Sequence, residues 1–150
     1  RQKLVNNGRN LYMSTLCYPT HLFESIIDII AGIEFLAYAG IQSVGFVGHS
    51  FGGAVVIETA AVVPNIIRTL ALSTQKYDAV YAVSHLRQYC SILLIHGTDD
   101  DDMLWQAVHL VSQKANNPKQ IILYEEAKLG LEEAGEQVHQ VIYQWLVEHH

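Results

Sequence analysis

Three kinds of residue in this 150-residue chain have the types and spacing for chemistry: a serine among glycines, a run of carboxylates, and eight scattered histidines. The serine is Ser50, in Gly48-His49-Ser50-Phe51-Gly52-Gly53, which follows the apolar run Val44-Gly45-Phe46-Val47 and opens the small, apolar stretch Phe51 to Val63. A strand that feeds a helix through so short a turn lifts the intervening side chain above the sheet edge. The helix N-terminus behind it offers backbone N–H groups to developing negative charge. Ser50 is therefore a candidate nucleophile and the Phe51 N–H a candidate oxyanion donor. Gly48 and Gly52 are given a mechanical task, because the residues two before and two after the serine must lack bulk where strand and helix converge. The alternative is a glycine-rich turn that binds an anion or simply packs.

The carboxylates are Asp99, Asp100, Asp101 and Asp102, directly after Ile92 to Ile95 and His96-Gly97. With His96 nearby they invite a divalent cation, but metal loops space their ligands with turn glycines and none interrupts this run, so no metal is assigned. An acid just past a strand end can instead orient and charge-stabilise an imidazole, and a solvated acidic loop capping the next helix is the plainer alternative. Among the histidines, His85, His109 and His139 fall on helical segments, His49 adjoins the serine and points away, and His96 ends a strand with a structural hydrogen-bonding role. His21 follows the first recognisable strand, on the sheet edge where Ser50 emerges, and is the best placed to act as a base.

The elements that must position these residues alternate between short apolar runs and longer segments of helical period, the pattern of βαβ units with a parallel sheet. Five strands are predicted: Asn10 to Leu16, Ser43 to Gly48, Ile66 to Leu72, Ser91 to His96 and Gln120 to Glu125. The middle three are almost continuously apolar and should be covered by helices on both faces, giving a three-layer αβα sandwich. Helices are predicted at Thr20 to Tyr38 (N-cap Thr20, stop at Gly40), Phe51 to Val63, Gln75 to Arg87, Met103 to Ala115 and Glu132 to Glu148. No repeat, low-complexity tract or linker divides the chain, so residues 1 to 150 read as one domain.

The run from Gly48 to Gly53 resembles the nucleophile elbow of α/β-hydrolases, and Ile95-His96-Gly97-Thr98-Asp99-Asp100 resembles the later segment that carries their triad acid. The resemblance extends from about residue 10 to the C-terminus. It implies Ser50 as nucleophile and Asp100 as acid, with the redundancy of Asp99 to Asp102 leaving the register open by one. It implies a small acyl ester or thioester substrate and calls for no cofactor. Two departures accompany it. The family's triad histidine comes shortly after the last strand, where this chain has Glu125-Glu126-Ala127-Lys128-Leu129-Gly130-Leu131, so Leu129 occupies the base position. A leucine cannot accept a proton. The early strands and the loop that supplies a second oxyanion N–H have no counterpart, and Arg1 to Gly8 reads as the end of a helix, so the N-terminal part of the fold is expected to be missing and a sheet edge left open.

Composition narrows the partners. Nine basic against fifteen acidic side chains give a formal charge of −6 with no basic stripe, which argues against nucleic acid. No apolar run reaches about 18 residues, which argues against a membrane span. Two cysteines, Cys17 and Cys90, are too few for a disulfide framework and point to a reducing, cytoplasmic setting, with a single bridge as the alternative. A homo-oligomer through the open sheet edge is compatible with all of this. Three functions are thus in play: a serine hydrolase of small acyl compounds; a catalytically impaired hydrolase fold that binds a small molecule or protein in the same crevice; and a flavodoxin-like domain, which would also bind ligands at the strand ends.

Overall fold

Four strands, Val44–His49, Ile66–Leu72, Ser91–Gly97 and Lys119–Tyr124, form one parallel sheet in the computed structural model. The model describes residues 3–6, 9–12, 21–74, 79–99, 104–128 and 130–148. We number the strands in chain order. β1 (Lys3–Asn6) and β2 (Arg9–Tyr12) make a separate antiparallel pair; β3 to β6 are the four just named, lying side by side in that order. The helices are α1 (Leu22–Tyr38), α2 (Phe51–Val62), α3 (Ala79–Ala82), α4 (Leu104–Lys114) and α5 (Gly135–Glu148).

The alternation of side chains along a strand sorts the core into two layers. Ala71, Ile92 and Leu94 pack with Ile33 of α1, Ala54 and Ile57 of α2, Val83 after α3, and Val108 and Val111 of α4. Leu70, Leu93 and Ile95 face the other way, onto Leu131, Val138 and Trp145 in and before α5. The expected three-layer αβα sandwich is therefore present, and every residue of β5 is buried, as a strand covered on both faces requires.

Several expectations need correction. Among the described residues the parallel sheet has four strands rather than about five. The stretch expected as its first strand, Asn10 to Leu16, lies partly in β2, which pairs with β1 in the register Lys3↔Tyr12 and Asn6↔Arg9; residues 13–16 lie outside the described residues. The supposed helix end at Arg1 to Gly8 likewise contains β1. The missed signal was Asn7-Gly8, a two-residue hairpin sequence between two short strands. Helix α1 takes His21, not Thr20, as its N-cap residue, without a side-chain cap bond; Thr20 lies outside the described residues. Its stop is as expected. Gly40, at φ 85°, donates its N–H to the Ala37 carbonyl while Ile41 donates to Leu36, the paired bonds of a Schellman ending. The segment after β4 is helical only from Ala79 to His85 in the described residues, its last turn 3₁₀, and α5 is preceded by a 3₁₀ turn at Glu132–Ala134.

Candidate active site

β3 runs directly into α2, and Ser50 is the single residue between them. Its backbone has φ 55° and ψ −119°, a conformation that costs a side-chain-bearing residue about 1–3 kcal/mol. Two bonds hold it there: the Ser50 N–H donates to the Leu72 carbonyl at 2.8 Å, and the Ser50 carbonyl accepts from the Gly53 N–H at 3.0 Å. The strain is thus imposed by the neighbouring strand on one side and the helix on the other. Replacing Ser50 with glycine, which adopts positive φ freely, is expected to raise the unfolding free energy by about 1 kcal/mol, read as a higher denaturant midpoint. An unchanged or lowered midpoint would show that the serine side chain contributes more to the fold than its backbone conformation costs.

The glycines around it do not all have the expected task. A Cβ on Gly48 would run into the Gly52 carbonyl, so strand and helix touch backbone to backbone at this point. Gly52 itself has open space where its Cβ would be; the second position without room is Gly53, whose Cβ would lie 2.8 Å from the Thr74 side chain. Gly52 therefore meets Gly48 through its carbonyl, while the next residue along the first helical turn faces the segment after β4. Phe51, the expected oxyanion donor, is the first residue of α2 and half-buried.

The other strand ends are tied to this turn. The Ser73 N–H donates to the Ile95 carbonyl at 2.8 Å, the Thr98 N–H to Tyr124 at 3.0 Å, and the Asp99 N–H to Ala127 at 3.1 Å. A Cβ on Gly97 would overlap the Ala127 carbonyl. The loop after β5 and the loop after β6 thus lie against each other. These are the loops that carry Asp100 and Leu129 in the sequence, and both of those residues lie outside the described residues. Beyond Leu129, the Glu133 carboxylate accepts from the Lys128 N–H at 3.2 Å. Its own backbone N–H and that of Lys128 hold its pKa below the ordinary glutamate range.

The histidines are spread widely. His21 is exposed at the start of α1, with Nδ1 3.6 Å from the Glu24 carboxylate. His49 and His139 are exposed, and His85 has Nδ1 3.0 Å from the Tyr81 carbonyl oxygen. His96, by contrast, is completely buried at the end of β5. Cys90 is a free, buried thiol 3.6 Å from the Thr69 hydroxyl, and burial raises its pKa; Cys17 lies outside the described residues. Among the described residues no cluster of three or more His, Cys, Asp or Glu forms a metal-binding group, and no helix is long and apolar enough to cross a membrane.

A parallel sheet with a strained serine between strand and helix, helices α1 to α4 on one face and α5 on the other, defines the α/β-hydrolase fold, and the chain has that fold. It is similar to a monoacylglycerol lipase from Paleococcus ferrophilus (TM-score 0.76, 18% identity, 87% of this chain and 77% of that one). It is similar also to a dienelactone hydrolase from Anabaena variabilis (TM-score 0.76, 20% identity, 85% and 61%) and to the esterase domain of a Rhodothermus marinus protein (TM-score 0.71, 18% identity, 80% and 66%). The chain thus spans just under two thirds of the last two. No protein-family profile matches it, and no curated protein sequence does.

Proposed function

We propose that this protein is a serine hydrolase of small acyl compounds, esters or thioesters, in which Ser50 attacks the acyl carbon and the Phe51 N–H receives the oxyanion. The observation that carries the reading is the backbone of Ser50. A serine at φ 55° between strand and helix is held in a costly conformation by bonds from two elements, and strain of that kind collects at functional positions. The helix N-terminus supplies the electrostatics, and Asp100, in the loop bonded to the β6 loop, is the proposed acid. The substrate class rests on the esterases and lipases among the structural neighbours and on a short segment after β4, 79–85, where a larger lid would restrict access.

Leu129 in the expected base position supports a second reading, a hydrolase fold that binds a ligand or partner in the same crevice without turning it over. A fluorophosphonate probe separates the two. An activated Ser50 is expected to label covalently, and Ser50→Ala to abolish the label. A folded wild-type protein that stays unlabelled would overturn the hydrolase in favour of the binder.

A further inference from the structure

The parallel register sets three polar residues on one rung of the sheet. His49 pairs with Leu72, and Leu72 with Ile95; one step further along β5, His96 pairs with Leu123. The ladder continues one residue past the last pairs of β3 and β4 through the bonds from the Ser50 N–H to Leu72 and from the Ser73 N–H to Ile95. Ser50, Ser73 and His96 therefore sit side by side on three neighbouring chains, about 4.8 Å apart per step. Ala71 and Leu94 belong to the core layer under α2, and His96, two residues beyond Leu94 within β5, is on that side by alternation, while Ser73 directly follows the end of β4 beside it.

Ser73 is unusual in two ways. It is a non-glycine residue at φ 45°, and its hydroxyl is fully buried with no hydrogen-bond partner among the described residues. Buried hydroxyls are nearly always bonded, and left-handed backbone is costly for serine, so both features call for an explanation. Their position suggests one. The segment is wedged between the elbow and β5, since its next residue, Thr74, packs on Gly53 in the first turn of α2. A hydroxyl is both donor and acceptor, as a group passing a proton between two neighbours must be.

We propose that Ser73 and His96 form the proton path of Ser50, in place of a base at position 129; this rests on Ser50 being the nucleophile. In acylation the Ser50 oxygen bonds to the acyl carbon and the carbonyl electron pair moves onto its oxygen. The Ser50 proton passes to the Ser73 oxygen, and the proton Ser73 carried passes to a ring nitrogen of His96. When the tetrahedral species collapses, the bond to the leaving group breaks with its electron pair, and the proton returns along the same path to that group. In deacylation the oxygen of a water bonds to the acyl carbon while one of its protons passes through Ser73 to His96. Collapse then breaks the bond from the acyl carbon to the Ser50 oxygen, which takes its electron pair and the returning proton, and the acid leaves. The path closes when Ser73 turns about χ1 toward its two neighbours, as catalytic hydrogen bonds commonly tighten only once substrate is bound.

The test compares fluorophosphonate labelling rates of Ser50 in the wild type, Ser73→Gly, Ser73→Cys and His96→Gln, with Tm measured for each. Ser73→Gly removes the hydroxyl while easing the left-handed backbone, so the fold is expected to keep its Tm or gain. Its labelling rate is expected to fall about 10²-fold, the lower end of what proton transfer contributes. Ser73→Cys, which keeps a group able to donate and accept, is expected to recover part of that loss, and His96→Gln to match Ser73→Gly. A wild-type rate in Ser73→Gly overturns the path while leaving Ser50 as nucleophile. An unlabelled wild type overturns both.

Discussion

Gly48→Ala is expected to lower Tm by about 10 °C and to abolish Ser50 labelling. The added methyl group would occupy the place of the Gly52 carbonyl, and backbone cannot turn aside as a side chain can. Strand and helix must separate, and the Ser50 N–H then loses its aim at the Leu72 carbonyl. Overpacking typically costs about 1–3 kcal/mol, and a backbone contact belongs at the upper end; for a chain of this size each kcal/mol is worth about 2–4 °C. Gly52→Ala is the matched control, since its methyl group meets open space and alanine is the better helix former. A Tm loss in Gly52→Ala equal to that of Gly48→Ala would refute the idea that the close approach at Gly48 fixes the elbow.

The second large effect is a gain. Leu129→His is expected to raise p-nitrophenyl ester turnover by about 10²-fold, because a positioned imidazole supplies general-base catalysis that a leucine cannot. The bonds from Thr98 to Tyr124 and from Asp99 to Ala127 already join the two loops that would hold such a histidine and the proposed acid. The same substitution placed in Ser73→Gly is expected to recover labelling, since a base above Ser50 makes the path through Ser73 dispensable. No change in turnover with Leu129→His in either background, wild type or Ser73→Gly, would locate the deficiency in the acid or the oxyanion donors instead.

What the sequence made legible follows from where local chemistry decides the outcome. The bounds of the four parallel strands agree with expectation within a residue, because short apolar runs between turn signals are a local pattern. The expected cover on both faces holds along all of β5 but not for β3, where Gly45, Val47 and His49 are exposed. Ser50 could be placed because the turn it occupies is built from its immediate neighbours. The N-terminal antiparallel pair escaped because Arg1 to Gly8 reads locally as a helix end and its two strands are only four residues each, too short to show an alternating pattern. The roles of Gly52 and Gly53 depend on which side of a helical turn meets Thr74, a residue 21 positions beyond Gly53, and no spacing rule within the motif contains that contact. Ser73 escaped for a similar reason: nothing in Leu72-Ser73-Thr74 marks a left-handed serine, and its significance comes from the strands on either side.

The bond from the Ser50 N–H to Leu72 also means that the elbow is not a self-contained cassette. Its geometry is borrowed from β4, which is in turn fastened through Ser73 to β5. Grafting Gly48 to Gly53 onto another strand–helix junction would carry over the letters of the motif without the neighbour that bends it, and an engineer wishing to move the nucleophile would have to move three strands.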